Sequence, residues 1–410
     1  MRRRRPAAGP LSRDAGTPLR RKGAEPPRRI GVVADDLTGA GDVALAFYEA
    51  GWPAEFEVHR PGGFGRRPSP RTRVWVLDTE SRSRGAAEAA RRTREAVRSL
   101  RRWGADFLFK KIDSTLRGPL REEFEAFAPR PSDPVAFVPA FPRLGRTTRA
   151  GRLYVHGRPL HRTPFSRDPL HPVGSSSILR LLSRRGRPAP RVWVPDVWDR
   201  ASLRRAARRV ALGNGVSRDR AVGSAGFAAA LAGEWRRPRG GPRRARRRSR
   251  RRGDVLVLVG SLHPASRRQA GRLRAAGGDR RPRSERNVFP LTIRPNSATK
   301  SVENRSPARD RWIPVTLSTS PRRRGDPRRA LRRLLALAGG RRRPAGAVVT
   351  GGETAHGLVR RWKLFRWRVL DRIEPGVPLC APVGGPGPRL VLKPGGFGSE
   401  DVLIKAVHAV

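Results

Sequence analysis

The sequence predicts an α/β protein of two domains, each a mainly parallel sheet flanked by helices. Three observations carry that expectation. Short runs recur that are apolar on both faces, as central parallel strands are; each runs into a turn of glycine and polar residues; and residues at helical spacing follow. The stretch from Arg29 to Asp42 shows the unit whole. Ile30-Gly31-Val32-Val33-Ala34 is the strand, Asp35 and Asp36 sit at its carboxyl end, and Val43, Phe47 and Ala50 repeat at helical spacing until Gly51. Ligands of open α/β sheets lie beyond such strand ends, where the N–H groups of a helix start favour an anion.

The same grammar can be followed along the chain. Residues 1–28 are Arg, Pro and Gly with little apolar content, the composition of a disordered basic tail. Val74 to Leu77 is a second strand, ending in Asp78-Thr79-Glu80-Ser81-Arg82. A helix from about Gly85 to Trp103 follows, with Ala86, Ala90, Val97 and Leu100 on one face. Phe107-Leu108-Phe109 starts a third strand that runs into Lys110-Lys111-Ile112-Asp113-Ser114-Thr115-Leu116-Arg117-Gly118. A short helix bearing Leu120, Phe124 and Phe127 precedes the strand Val135 to Val138, then Pro139-Ala140-Phe141-Pro142 and Gly145-Arg146-Thr147-Thr148. Residues 151–172 read as a long functional loop. Val192 to Val194 and Ala221 to Gly226, before a helix of alanines, complete a first domain spanning 29–235.

Residues 236–253 lack apolar periodicity and read as a basic linker. The second domain, 254–410, opens with the strand Asp254 to Val259, then Gly260-Ser261 and a helix from Pro264. Val288 to Ile293 and Trp312 to Leu317 resemble strands and Ala330 to Ala338 a helix, whereas Arg294 to Asp310 has no core signature. Strand Ala347 to Val349 leads to Thr350-Gly351-Gly352-Glu353-Thr354 and a helix to Trp362. Strand Leu390 to Leu392 leads to Lys393-Pro394-Gly395-Gly396-Phe397-Gly398 and a last helix, Ser399 to about Val407.

Composition bounds the function. A net charge of +56, from 90 Lys plus Arg against 34 Asp plus Glu, suggests a nucleic-acid or anionic-surface partner. The excess is scattered arginine with almost no aromatic interleaving, which favours compositional drift over a binding face. Only seven of those cations are Lys, so Lys110, Lys111 and Lys393, all in motif-like stretches, mark places where a compact ammonium is wanted. The single Cys380 rules out an intramolecular disulfide and any C-x-x-C metal site, and fits a reducing, cytoplasmic setting. No stretch approaches the roughly 18 apolar residues of a membrane span. His156, His161 and His171 are too irregularly spaced for a metal site, and no protein metal site is expected.

Two constellations carry chemistry. In the second domain three strand-to-helix turns hold Gly-Ser, Gly-Gly-Glu-Thr and Lys-Pro-Gly-Gly-Phe-Gly. Glycine lets backbone N–H groups approach phosphate oxygens, and Lys393 adds a point cation. Neither G-x-x-x-x-G-K-S/T nor a strand followed by G-x-G-x-x-G is present, so this is no P-loop, and each glycine alone is equally a tight corner. In the first domain Asp35, Asp36, Arg82, Lys110, Lys111, Asp113 and Arg117 supply the groups that phosphoryl transfer to a hydroxyl requires. A carboxylate takes the proton, cations hold an anionic substrate and the phosphates, and Mg2+ bridges them. Spacing alone equally allows surface ion pairs at loop ends.

These stretches resemble the four-carbon acid sugar kinases, which pair a sugar-acid-binding N-terminal domain with a nucleotide-binding C-terminal domain. The resemblance rests on Ala34 to Ala40, Lys110 to Gly118, Pro139 to Pro142 with Gly145 to Thr148, Gly260-Ser261, Thr350 to Thr354 and Lys393 to Gly398, in family order from about residue 29 to the end. It implies an active site in the cleft between the domains and ATP-dependent phosphorylation of the terminal hydroxyl of a tetronate or 3-oxo-tetronate. It implies substrate contacts at Asp36, Arg82, Lys110, Lys111, Ile112 and Asp113, and ATP contacts at Ser261, Gly351, Gly352, Glu353, Thr354, Gly395 and Gly396. Chemistry nominates Asp36 as base, Asp113 second, with Lys111 beside them in the catalytic set; ATP and Mg2+ are the implied cofactors. The expected partners are a small sugar acid and ATP, with no membrane and no nucleic acid, and a homo-oligomer is compatible with the sequence.

The chain departs from the family in the basic insert near Arg243 and at Arg294 to Asp310, which leaves an inactive relative open. Thr38-Gly39-Ala40-Gly41-Asp42 is also similar to the anion-hole signature of ribokinase-like sugar kinases, in which Asp42 would be the base. An Arg-rich nucleic-acid binder is the non-enzyme reading.

Overall fold

The computed structural model describes residues 25–65, 67–129, 132–168, 171–184, 186, 190–235, 255–261, 263–276, 313–315 and 344–410. Most of the tail at 1–28, the expected linker at 236–253, the expected strand Val288 to Ile293, the segment Arg294 to Asp310 and the expected helix Ala330 to Ala338 lie outside the described residues.

In the N-terminal part the order is β1 (Ile30–Ala34), α1 (Leu37–Glu49), β2 (Ala54–Val58), β3 (Val74–Asp78), α2 (Ala86–Trp103), β4 (Phe107–Lys111), α3 (Leu120–Phe127) and β5 (Val135–Val138). A small antiparallel sheet follows, β6 (Arg146–Arg149), β7 (Arg152–Val155) and β8 (Arg158–Pro159), where the sequence suggested a loop. Then come α4 (Ile178–Leu182), β9 (Val192–Trp193), α5 (Arg200–Leu212), β10 (Arg220–Gly223) and α6 (Ala225–Glu234). The C-terminal part holds β11 (Val255–Val259), α7 (Pro264–Ala276), β12 (Ile313–Val315), β13 (Gly346–Thr350), α8 (Gly352–Trp362), β14 (Arg366–Glu374), β15 (Val377–Pro382), β16 (Arg389–Lys393) and α9 (Val402–Ala409).

The local causes are visible. β1 is buried along its whole length between β3 and β4, both parallel to it, so it takes apolar residues on both faces. Asp36, extended at φ −148°, caps α1 by accepting the Gly39 N–H at 3.0 Å. Helix α2 ends where Gly104 turns left-handed at φ +87°. Its buried face carries Ala89, Thr93, Ala96, Leu100 and Trp103; Ala86, expected inward, is exposed, and Val97 is half-buried.

The two sheets are joined edge to edge. Thirteen of the described strands form one sheet in the order β12-β11-β13-β16-β15-β14-β2-β3-β1-β4-β10-β5-β9. The joint is the antiparallel pairing of β14 with β2, in which Trp367 stands opposite Phe56. Both are fully buried in an apolar cluster that runs from Ile30 and Phe47 on one side to Leu390 and Leu392 on the other. Arg366 closes on the buried Glu57 at 2.9 Å, and the Tyr48 hydroxyl donates to the Leu370 carbonyl at 2.6 Å.

Trp367→Ala therefore empties the centre of the joint. Truncation of a buried Trp costs about 3–5 kcal/mol. Urea denaturation followed by circular dichroism should show that loss; a change under about 1 kcal/mol would mean the joint is not where the domains are held.

Candidate active site

The carboxyl ends of β1, β3 and β4 deliver the first half of the site. The Arg82 guanidinium, just beyond β3, clamps Asp35 with two bonds of 2.8 and 2.9 Å and reaches Asp36 Oδ1 at 2.8 Å. The Thr38 hydroxyl donates to Asp36 Oδ2 at 2.6 Å. Burial pushes the Asp36 carboxyl up, but Arg82, Lys111 and Thr38 together hold it down at about 2.

Lys110 and Lys111 are neighbours on a strand, so their side chains leave by opposite faces. Lys111 faces α1: its ammonium donates to the Ile112 carbonyl at 3.0 Å, and a Cβ added at Gly39 would come within 2.8 Å of it. Lys110 turns the other way, 1% exposed, and pairs with the buried Glu123 at 3.2 Å. Burial raises the Glu123 carboxyl, with Lys110 opposing. Ile112, 2% exposed, packs in the core on that second face. Asp113 accepts a two-pronged bond from Arg117, at 2.8 and 3.1 Å, and a short one from the Thr115 hydroxyl. Burial opposes its ionisation, yet Arg117 and Arg82 hold it well below the usual carboxylate range.

The glycine corners of the C-terminal domain form one cluster. A Cβ at Gly351, whose φ is +92°, would sit 3.5 Å from the Ser261 nitrogen. One at Gly395 would collide with the Ser261 hydroxyl, and one at Gly396 would lie 3.1 Å from His263 Nε2. Thr354 packs against Gly260, and Glu353, at the first turn of α8, accepts from the Ser83 hydroxyl at 3.3 Å. Lys393 differs from expectation. Its ammonium is fully buried and donates to the carbonyls of Pro394, Gly395 and Phe397 at 3.0, 3.0 and 3.3 Å, so it shapes the glycine turn instead of facing a phosphate. Burial lowers it to about 8.

The two halves meet. A Cβ at Gly352 would lie 3.1 Å from Asp36 Oδ2, and Phe141 stands edge-on to Phe397 with ring centroids 6.4 Å apart. Of the residues nominated from sequence, Asp36, Lys111 and Gly352 are thus brought together, with Arg82 and Asp113 beside them, while Lys110 and Ile112 lie behind the sheet.

Four groups at this junction received no role in the leading sequence reading. His356 on α8 hydrogen-bonds Asp78 at the end of β3, joining the domains through a buried pair. Burial lowers the His356 imidazole, but the Asp78 carboxylate outweighs it and raises the imidazole above its ordinary value. Arg146 has a buried Nε with no hydrogen-bond partner; burial lowers its guanidinium, and Asp113 raises it. His263 is lowered by burial, by Lys393 and by that same Arg146. Asp42, one turn into α1, completes the set. Arg146 belongs to the stretch Gly145-Arg146-Thr147-Thr148, which is a signal in the sequence; the pairing of His356 with Asp78 spans 278 residues and has none.

Fold and site together define a two-domain α/β protein in which carboxylates and arginines at the strand ends of one half meet glycine turns of the other. A profile described as "Sugar-binding N-terminal domain" matches residues 30–216, and one described as "Nucleotide-binding C-terminal domain" matches 256–403. The chain is 37% identical to a D-threonate kinase of Bordetella bronchiseptica, covering 93% of this chain and 97% of that one. It is 28% identical to a 3-oxo-tetronate kinase of Methylobacterium radiotolerans, covering 92% and 98%. The chain belongs to the four-carbon acid sugar kinase family. A solved structure from Salmonella typhimurium LT2 shares its fold, with TM-score 0.71 and 22% identity over 92% of this chain and 98% of that one. Among the described residues no helix is long and apolar enough to cross a membrane.

The His356 pair sets a pH dependence. A histidine raised on folding adds stability that is complete below its ordinary 6.5 and is lost as pH rises through the higher folded value. An imidazole NMR titration should place His356 above 6.5 in the native protein, and Asp78→Asn should bring it down. A native midpoint at or below 6.5 refutes the pairing.

Proposed function

We propose that the chain transfers the γ-phosphoryl group of ATP to the terminal hydroxyl of a four-carbon acid sugar of the D-threonate kind. One observation carries this reading above the others: Gly352, at the glycine corner of the C-terminal domain, lies against the Asp36 carboxylate at the strand ends of the N-terminal domain. A triphosphate on the glycine turns then points at a small molecule held by the carboxylate–guanidinium lattice.

The division of labour follows from the groups. Asp36 and Asp113, kept ionised by arginines, accept hydrogen bonds from the hydroxyls of the acid, while Arg82 and Arg146 draw its carboxylate. Lys111 lies beside the helix start and offers charge to the phosphoryl group in flight. Ser261, Gly351, Gly352, Gly395 and Gly396 supply close backbone approach to the phosphates, with Glu353 and Thr354 at the start of α8 behind them. Among the described residues no three His, Cys, Asp or Glu side chains gather as a metal cage. Mg2+ enters with the nucleotide, on the phosphates of MgATP. In this scheme 29–235 is the acid-binding unit and 254–410 the nucleotide-binding one, and a cytoplasmic setting supplies both substrates.

A coupled assay of ATP consumption across D-threonate, D-erythronate, 3-oxo-tetronates and a neutral tetritol tests the reading. Turnover with an acid and none with the tetritol is expected; consumption with no acid overturns it. Gly395→Ala, whose methyl meets the Ser261 hydroxyl, should raise KM for ATP about tenfold, a loss of about 1.4 kcal/mol, with KM for the acid unchanged. Equal effects on both would place that corner away from the nucleotide.

A further inference from the structure

Resting on the kinase reading above, we propose that Asp42, and not Asp36, takes the proton from the acid sugar's hydroxyl as that oxygen attacks the γ-phosphorus of ATP. The first ground is what the two carboxylates already hold. Asp36 Oδ1 accepts from Arg82 and from the Gly39 N–H, and Oδ2 from Thr38. Asp113 is likewise occupied by Arg117 and Thr115. Asp42 is half-buried, and among the described residues its carboxylate has neither a hydrogen bond nor an ion pair.

The second ground is place. Asp42 stands on the helix that Asp36 caps. A Cβ at Gly376 would lie 3.3 Å from Asp42 Oδ1 and touch the ring of Phe397, the residue that follows Gly395-Gly396 and meets Phe141 across the cleft. The carboxylate thus sits where the acid-sugar wall meets a glycine turn. The charged groups that act on it most are Lys111 from β4, Arg143 beyond β5, Asp36 at the cap and Glu49 at the far end of α1. Burial dominates and pushes the Asp42 carboxyl up to about 6 despite both cations. A base works best with a value near the working pH, which an acid held at about 2, as Asp36 is, does not have.

In the step, the hydroxyl proton passes to Asp42, the oxygen–phosphorus bond forms, and the bond from the γ-phosphorus to the bridging oxygen breaks. That oxygen leaves with the electron pair on ADP. Asp42 then gives its proton to solvent.

The test uses the full chain, MgATP and D-threonate, with ADP release followed from pH 5 to 9. For the native protein kcat should climb about tenfold per pH unit below about 6 and then level off. Asp42→Asn should lower kcat by about a hundredfold or more, with both KM values within about threefold and circular dichroism unchanged. Asp36→Asn should instead act mainly on KM for the acid. Three results overturn the proposal: Asp42→Asn keeping kcat within about threefold, its kcat returning at high Mg2+, which marks a metal ligand, or a native profile with no acid limb near 6. ATP consumption by the native protein with no acid sugar at all removes the kinase reading and the proposal together, and is told apart from these by the native control.

Discussion

The pairing of β14 with β2 is the constraint from which the site follows. It is antiparallel, as are the pairings of β14 with β15 and of β15 with β16 beyond it, so the parallel strands of the C-terminal half run against those of the N-terminal half. Laid flat, such a sheet would send the two sets of carboxyl ends to opposite edges. Six strand-to-strand steps separate β13 from β1. At about 20–25° of twist per step, the halves turn by about 120–150° relative to each other, which brings the ends round to one cleft. The contact of Gly352 with Asp36 is the result of that rotation. Helix α1 fills the hollow of the twist, its Gly41 closing on Leu392 and Pro378 of the other half.

A joint of this kind also determines how the cleft is held. Beyond the ladder, the domains share the apolar cluster around Trp367 and the buried pair of His356 with Asp78. The buried pair needs both partners, since either charge left alone in the interior is far costlier than the pair. Arg360 with Glu80 and Ser83 with Glu353 line the rim of the same contact. The polar groups at the mouth therefore fix distance and angle, while the apolar cluster supplies cohesion.

Much of this was legible because strand, turn and helix are adjacent in the chain. Every strand-to-helix turn nominated for chemistry in the described residues is one, from Asp35-Asp36 to Gly395-Gly396. What escaped were elements whose pattern is masked by charge. In β2 two glutamates alternate with apolar residues yet are buried, because Glu57 meets Arg366 from a strand three hundred residues away. In α5 arginines obscure Leu203, Ala206, Ala207 and Val210, although Asp199 and Ser202 form a capping box that marks its start. The alternation of buried Trp367 and Val369 with Arg366 and Arg368 is a strand signal for β14 that its arginines obscure. Lys110 and Lys111 carry the plainest lesson: a two-residue period puts them on opposite faces, so one motif cannot send both into one pocket.

The lysines also explain how a chain of net charge +56 keeps an orderly interior. Of its seven Lys, three, Lys110, Lys111 and Lys393, are buried in the described structure, whereas the arginines buried there are Arg92 and Arg389. Arg92 is met by Glu88 and the Thr79 carbonyl, and Arg389 by the carbonyl of Ala409. A guanidinium needs a planar arrangement of acceptors, which a glycine turn cannot provide. An ammonium needs only a small ring of oxygens, and Pro394, Gly395 and Phe397 form such a ring around Lys393. Lys110, Lys111 and Lys393 thus sit where a cation is enclosed, whereas Lys363 and Lys405, outside the motifs, are exposed.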